Sequence, residues 1–259
     1  MKTKAVFFDI DGTLVSFRTH RIPKSTLEAV SRLRTEGVKV FIATGRPMPF
    51  INNLDGLEYD GIIESNGAHC QLADGTVIFH KPIPQTDIRN FVDYCRNNEL
   101  PAVFASHDDI FITHTDKRTD DVFRLLDIEV PTIRPVESAL DMGVLQIVGF
   151  FVKEEEPFLM RSVLPKSNAQ RWHPDFADVI VGGVDKSTGI DAVAAYFGWD
   201  AKQTMAFGDG GNDIGMLRHV GCGIAMGNAS EEVKQHARYV TDDIDRDGVA
   251  KAIERYLES

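Results

Sequence analysis

The sequence predicts an α/β fold, a doubly wound Rossmann-like parallel-sheet core with a smaller α+β domain inserted into it. Three observations predict it. The chain opens on an apolar, β-favouring run, Ala5-Val6-Phe7-Phe8, that stops abruptly in Asp9-Ile10-Asp11-Gly12; a strand buried on both faces of a parallel sheet reads as such a run. Strand and helix patterns alternate towards both ends of the chain, the rhythm of βαβ units. Between Pro82-Ile83-Pro84 and Gly182-Gly183 that rhythm gives way to helices mixed with short strands. The expected organisation is a core built from 1–82 plus 186–259, with 83–185 as the insert.

In chain order, the opening strand delivers Asp9 and Asp11 to one side, because residues two apart on an extended segment point the same way. Gly12 then allows a sharp turn. Asp and Gly are also ordinary turn formers, so the stretch alone is as compatible with a plain turn; a calcium loop is disfavoured, since Leu14 and its neighbours supply no further oxygen ligands. After Pro23, apolar residues at Leu27, Val30 and Leu33 predict a helix, with Ser25 as N-cap, Glu28 as its capping-box partner and Gly37 just past the end. Val38–Ala43 predicts a second buried strand running into Thr44-Gly45-Arg46-Pro47. Gly61–Ser65 predicts a third, reaching Asn66-Gly67-Ala68. Asp74-Gly75 predicts a hairpin turn between His69–Leu72 and Val77–His80.

The insert is expected to hold helices at Gln85–Asn98 and Lys117–Leu126, strands at Ala102–Ala105, Ile110–His114, Val144–Val152, Ala169–His173 and Ala177–Val181, and a short helix near Glu154. From Lys186 the first rhythm resumes. Ser187 is predicted to cap a helix reaching Phe197, and Thr204–Phe207 is a strand that ends in Gly208-Asp209-Gly210-Gly211-Asn212-Asp213. A helix through Leu217, a strand at Gly223–Met226, a helix from Ser230, a strand at Tyr239-Val240 and a helix over Gly248–Leu257 complete the pattern.

The 259 residues, 43% apolar and 26% charged, suffice for a full α/β domain and a smaller one. A net charge of −11 argues against a nucleic-acid or anionic-membrane partner. It also requires that any site for an anionic substrate build its positive potential locally. Three widely spaced cysteines, Cys70, Cys95 and Cys222, suit reduced thiols better than a disulfide framework. The N-terminal apolar run is stopped by Asp9 and Asp11 short of a signal-peptide core, and no apolar run is long enough to span a bilayer. The expectation is a soluble, cytoplasmic protein.

Four strand ends then line up: Asp9-x-Asp11-Gly12-Thr13, Thr44-Gly45, Lys186, and Gly208-Asp209-Gly210-Gly211-Asn212-Asp213. Singly, each has an ordinary explanation. Thr44 suits a helix N-cap, Lys186 a solvated loop, and Asp209 and Asp213 a helix N-terminus. All four following predicted strands, where open α/β sheets bind ligands, points to one site. In these motifs the chain resembles the haloacid dehalogenase-like phosphatases, specifically the Cof-type members with a type IIB α/β cap between the second and third motifs. The match covers the whole chain, with Asn66-Gly67-Ala68 a further segment common in that subgroup.

The resemblance implies Asp9 as a nucleophile forming an aspartyl-phosphate, and Asp11 as general acid and base. It implies Mg2+ bound by Asp9, Asp209 and the Asp11 backbone carbonyl, with Asp213 holding the ion's waters. Gly12, Thr44, Gly45, Lys186 and Asn212 would bind the phosphoryl group; Arg46 and Asn66 would reach the leaving group. The insert would close over the strand ends and exclude water. Within it, His107, His114, Trp172, His173 and Asp178 are weaker candidates, since isolated residues of these types more often serve packing or the surface. The implied substrates are small phosphorylated metabolites, sugar (hexose) phosphates first, handled with broad and modest selectivity. The alternatives are a phosphosugar mutase, a phosphatase of a cofactor such as pyridoxal phosphate, and a catalytically inactive metabolite-binding protein.

Overall fold

The computed structural model of the protein describes residues 3–126 and 128–256, with every side chain among them except that of Trp172. Leu257, the expected last residue of the C-terminal helix, lies outside the described residues. In chain order, β1 (Ala5–Phe8), α1 (Lys24–Thr35), β2 (Lys39–Ala43), β3 (Gly61–Glu64), β4 (His69–Leu72) and β5 (Val77–His80) come first. They lead into α2 (Gln85–Asn98), β6 (Ala102–Ala105), β7 (Ile110–Ile112), α3 (Lys117–Leu126), β8 (Gln146–Gly149), β9 (Ser167–His173) and β10 (Phe176–Val181). Then follow α4 (Lys186–Phe197), β11 (Thr204–Gly208), α5 (Ile214–His219), β12 (Cys222–Ala225), α6 (Glu231–His236), β13 (Tyr239–Val240) and α7 (Gly248–Tyr256). Two compact units emerge: one takes the chain up to Gly45, Ile51–His80 and the chain from Asp185 on, the other Arg46–Phe50 and Lys81–Val184.

The first unit is organised on a sheet of order β13-β12-β11-β1-β2-β3-β4-β5. Pairing is parallel from β13 to β3 and antiparallel from β3 to β5. β1 is central because both of its faces are apolar: all four of its residues are buried. Phe7 stacks on Phe41 with ring centroids 5.2 Å apart, and Phe8 on Phe207 at 4.9 Å. Register fixes where these strands stop together, since Phe8 pairs with both Ile42 and Phe207. Asp9, Thr44 and Asp209 therefore leave the sheet at one edge, outside the carboxyl ends of three neighbouring parallel strands.

The second unit carries an antiparallel sheet of order β7-β6-β8-β10-β9. The period-2 alternation of its strands divides the apolar residues between two faces. Phe104, Ile147 and Val179 pack with Phe91 of α2 on one face, and Val103, Val148 and Phe176 with Val122 and Phe123 of α3 on the other. Among the described residues no helix is long and apolar enough to cross a membrane.

Three local expectations are corrected. The strand expected over 144–152 is confined to β8, because its partners β6 and β10 offer a ladder only opposite Gln146–Gly149. Ser25 does not cap α1. Pro23 occupies that position, and the Ser25 hydroxyl donates to Asp247 at 2.5 Å instead. Ser187 does not cap α4 either. Asp185 does, accepting the Thr188 N–H at 3.1 Å, while the Thr188 hydroxyl accepts the Asp185 N–H at 3.3 Å. α4 thus begins two residues earlier, with Lys186 in its first turn.

Candidate active site

The turn after β1 brings two distant parts of the chain into contact. Gly12 adopts φ +81°, and a Cβ placed there would stand 2.2 Å from Asp209 Oδ2. Only glycine permits that approach. Thr13 Oγ1 donates to Asp209 Oδ1 at 2.9 Å, so the β1 and β11 ends are bound by a side-chain hydrogen bond as well as by the sheet. Beside them, Lys186 reaches from α4 into the interior. Its side chain is fully buried, and its Nζ lies 2.5 Å from Asp9 Oδ1 and 2.6 Å from Asp213 Oδ1. Asp213 is engaged on its other oxygen too, accepting the backbone N–H groups of Asp209 and Gly210, both at 2.9 Å. It braces the loop that carries Asp209.

This cluster puts three carboxylates against one ammonium in a region largely shielded from water. Burial, and then the charge of Asp213, pushes the Asp9 carboxyl well above the ordinary carboxylate range, with Lys186 pulling back only in part. Asp209 is pushed up to about 7, by burial first and Asp213 second, against the Thr13 hydroxyl that favours its ionised form. Burial alone would lower the Lys186 pKa, but Asp213 and Asp9 together outweigh it and hold the ammonium above the ordinary lysine value. The cluster therefore favours any further positive charge.

The donor set fits a hard cation. Asp9, Asp209 and Asp213 each offer an oxygen within 4.8 Å of the others, and an all-oxygen set suits Mg2+ rather than softer ions. Because Asp213 already accepts from Lys186 and two backbone N–H groups, the oxygens with capacity to spare belong to Asp9 and Asp209. A consequence follows for stability. A carboxyl raised from 3.8 to about 7 on folding holds its proton more tightly in the folded state. Its contribution to stability is greatest at low pH and is lost as pH rises through that window. In chelator-treated protein, thermal melts of wild type and Asp209→Asn between about pH 4 and pH 8 should diverge, wild type falling faster with rising pH. Added Mg2+ should raise the wild-type melting temperature at the upper end. Parallel curves would remove Asp209 from the buried charge balance.

Of the other expected residues, Asp11 is half-buried at the β1 turn, which is closed by the Gly12 N–H donating to the Val15 carbonyl at 2.9 Å. Thr44 is 1% exposed; its N–H donates to the Ile63 carbonyl at 2.8 Å and its carbonyl accepts the Asn66 N–H at 3.0 Å. Asn212 Nδ2 donates to Asn66 Oδ1 at 2.9 Å. A Cβ on Gly45 would lie 3.1 Å from the Asn66 amide and 3.3 Å from Asn212 Nδ2, so Thr44-Gly45, Asn66 and Asn212 converge. Arg46 belongs to the second unit, where its guanidinium donates to the Phe50 carbonyl at 2.8 Å.

Within that unit, His107 is half-buried, and His114 Nδ1 lies 3.3 Å from Thr113 Oγ1. His173 stacks on Phe176 at 5.5 Å, and Asp178 accepts from Gln146 Nε2 at 3.0 Å. The Trp172 side chain lies outside the described residues.

Two participants went unnoticed in the sequence. Asn228 donates to the Gly12 carbonyl at 2.8 Å and lies 3.3 Å from Asp209 Oδ2, while its own Oδ1 accepts the Ile244 N–H at 3.1 Å. It follows β12, one more parallel strand running to the same edge, and that position was the available signal. Asp185, which sets the start of α4 and hence the position of Lys186, was signalled by the capping-box spacing to Thr188.

Comparison with known proteins finds relatives along nearly the whole chain. The family model described as haloacid dehalogenase-like hydrolase matches residues 6–253. YkrA of Bacillus subtilis (strain 168), named as a candidate phosphatase, is 34% identical over 258 residues, covering 98% of this chain and 97% of its own. The 5-amino-6-(5-phospho-D-ribitylamino)uracil phosphatase YitU of the same strain is 30% identical over 275 residues, covering 99% of each chain. Among solved structures, that of the HAD subclass IIB sugar phosphatase BT4131 is 43% identical, superimposes with a TM-score of 0.90, and covers 98% of this chain and 99% of its own.

Proposed function

The chain belongs to the haloacid dehalogenase-like hydrolases, and on that premise we propose that it is a Mg2+-dependent phosphatase of small phosphorylated metabolites, sugar phosphates first, acting through an aspartyl-phosphate. The observation that carries the reading is the buried Asp9 carboxylate at the end of β1, held by Lys186 at 2.5 Å on Oδ1 and backed by the Asp209–Asp213 loop. Phosphoryl transfer depends chiefly on positioning and on charge stabilisation. This cluster supplies both within a chain of net charge −11.

When bound, Mg2+ would neutralise charge between the nucleophile and the phosphoryl oxygens, held by Asp9, Asp209 and the Asp11 carbonyl. Every other role falls to the chain. Lys186 fixes Asp9 through Oδ1, which leaves Oδ2 to attack phosphorus. The Gly12 turn, Thr44, Gly45 and the Asn212–Asn66 amide pair face the phosphoryl oxygens. As the ester P–O bond breaks, Asp11 gives its proton to the departing alkoxide. Asp11 then takes a proton from water, whose oxygen attacks phosphorus, breaks the acyl-phosphate bond, regenerates Asp9 and releases orthophosphate.

A phosphomonoester that is a good leaving group tests the scheme. p-Nitrophenyl phosphate needs little proton donation, so Asp11→Asn should release one burst of nitrophenolate and then stall on the phosphoenzyme, with steady-state turnover down by about 10²–10⁴. Steady turnover at the wild-type rate would remove Asp11 from the proton path. Substrate class is tested by orthophosphate release from a panel of hexose, pentose, nucleotide and pyridoxal phosphates, ranked by kcat/KM. Hexose phosphates should lead, as the resemblance to a sugar phosphatase suggests. Return of phosphate to the sugar, in place of release to water, would instead mark a mutase.

A further inference from the structure

The side-chain amide of Asn228 is committed entirely to the protein, although the residue is exposed. Its Oδ1 accepts the Ile244 N–H at 3.1 Å, which fixes the amide with Nδ2 on the opposite side. That nitrogen has two hydrogens to place. One goes to the Gly12 carbonyl at 2.8 Å, and Asp209 Oδ2 lies 3.3 Å from the same nitrogen. A solvent-facing amide is satisfied by water at little cost, so three protein partners from three separate segments call for a reason. A plain loop staple would need the Gly12 contact alone.

The loop that carries Asn228 is itself held. It leaves β12 at the edge where Asp209 leaves β11. The Met226 N–H donates to the Gly208 carbonyl and the Gly227 N–H to the Asp242 carbonyl, both at 3.0 Å. A Cβ on Gly227 would stand 2.5 Å from the Asp243 nitrogen, so the two loops meet backbone to backbone. Asp209 is thereby gripped at both oxygens, by Thr13 Oγ1 at 2.9 Å on Oδ1 and by Asn228 Nδ2 on Oδ2. Together the two donors fix the plane of the carboxylate. Both are neutral, so the charge of Asp209 stays available to a cation, as it would not beside a lysine.

We propose that Asn228 is a positioning residue for the metal site, orienting Asp209 through Oδ2 and so setting both the affinity for Mg2+ and the preference for it over Ca2+. The proposal rests on the Mg2+-dependent reading of the site and deepens it. Mg2+ demands near-octahedral placement of its ligands, whereas Ca2+ accepts variable geometry and either one or two oxygens of a carboxylate. A carboxylate free to rotate therefore costs the smaller ion more. Partners that orient a metal-ligating side chain are typically worth about 10- to 100-fold in metal affinity.

The test compares wild type with Asn228→Ala, each treated with chelator and then titrated with MgCl2 or CaCl2. The rise in melting temperature with ion concentration gives each dissociation constant without reference to catalysis. For Mg2+ the constant should weaken by about 10- to 100-fold, and for Ca2+ by a smaller factor. The Mg2+ concentration giving half-maximal turnover of p-nitrophenyl phosphate should rise in step, and excess Mg2+ should recover most of the lost rate. The ratio of the two constants is taken within one protein, so a general loss of stability from the missing Ile244 and Gly12 contacts does not move it. A purely structural Asn228 would lower the melting temperature of the chelator-treated protein and keep wild-type constants for both ions. That result, or equal losses for the two ions, overturns the assignment and leaves the phosphatase reading standing. A wild-type protein that neither responds to Mg2+ in the melt nor needs it for turnover removes the Mg2+ reading and the assignment together.

Discussion

Asp9→Asn is expected to reduce phosphomonoester turnover by at least about 10⁴-fold, the scale on which removal of a covalent nucleophile is felt, while leaving the fold intact. The asparagine carbonyl still accepts from Lys186, so the contact at 2.5 Å has a successor. What disappears is an oxygen able to attack phosphorus. The substitution also removes one of three carboxylates from the buried cluster, and it removes the one that burial and Asp213 already push well above the ordinary range. Like-charge repulsion is thereby relieved, so chelator-treated Asp9→Asn should melt no lower than wild type near neutral pH. The combination of lost activity and retained or raised melting temperature distinguishes a nucleophile from a structural acid. Trapping with acid should give a hydroxylamine-labile phosphoenzyme from wild type and none from the variant. Undiminished turnover, with deamidation excluded by mass measurement, would remove Asp9 as the nucleophile.

The parts of the fold legible in the sequence were those governed by local pattern. β1, β2 and β11 read as continuous apolar runs because both faces of each are buried, and α2 and α3 read correctly to both ends because the apolar spacing is helical. The hairpin between β4 and β5 was marked by Asp74-Gly75, with Gly75 at φ +88°. Features decided by distant partners were not legible. The length of β8 depends on where β6 and β10 stop. Ser25 and Ser187 carry hydroxyls at capping spacings, yet Ser25 is claimed by Asp247 and Ser187 by Asp185. Asn228 reaches a carbonyl 216 residues away, and no local rule predicts such a pairing.

Motif order was legible for the site, and energetic roles were not. The pattern does not show that Asp213 also braces the site, its two oxygens accepting from Lys186 and from two backbone N–H groups. Asn212 and Asn66 were read as separate contacts, and the geometry joins them into one amide pair. Lys186 was the residue furthest from its ordinary reading. A lysine after a glycine-rich return is expected in water. Here it is fully buried, in the first turn of a helix whose dipole disfavours a cation at that end. Local propensity is overruled at that position, as it tends to be where function dictates the residue.

Lys186→Met should therefore be the most damaging single change to stability. Methionine matches the length of the lysine stem, so little volume is lost, but Asp9 and Asp213 lose the ammonium at 2.5 and 2.6 Å. Removing one partner from a buried charge set costs about 3–5 kcal/mol, because the remaining charges stay desolvated and uncompensated. That is a large share of the roughly 5–15 kcal/mol that holds a domain folded. The sign with pH follows from the cluster. The carboxyls Asp9 and Asp209 are already pushed upward, so at lower pH they take up protons and the missing ammonium matters less. Urea titrations of the chelator-treated variant should show the deficit in full above about pH 7 and a smaller one near pH 5.

Activity should be lost at both pH values if, as proposed, Lys186 stabilises the phosphoryl group, because no protonation state of the carboxylates replaces that cation. Adding Asp213→Asn to Lys186→Met restores the charge balance while its amide oxygen still accepts the Asp209 and Gly210 N–H groups. The double variant should regain much of the stability and none of the turnover. Recovery of turnover along with stability would mean that Lys186 serves the fold alone. A single variant as stable as wild type above pH 7 would mean that the buried carboxylates find compensation elsewhere, and that the ammonium is not what holds this edge of the sheet together.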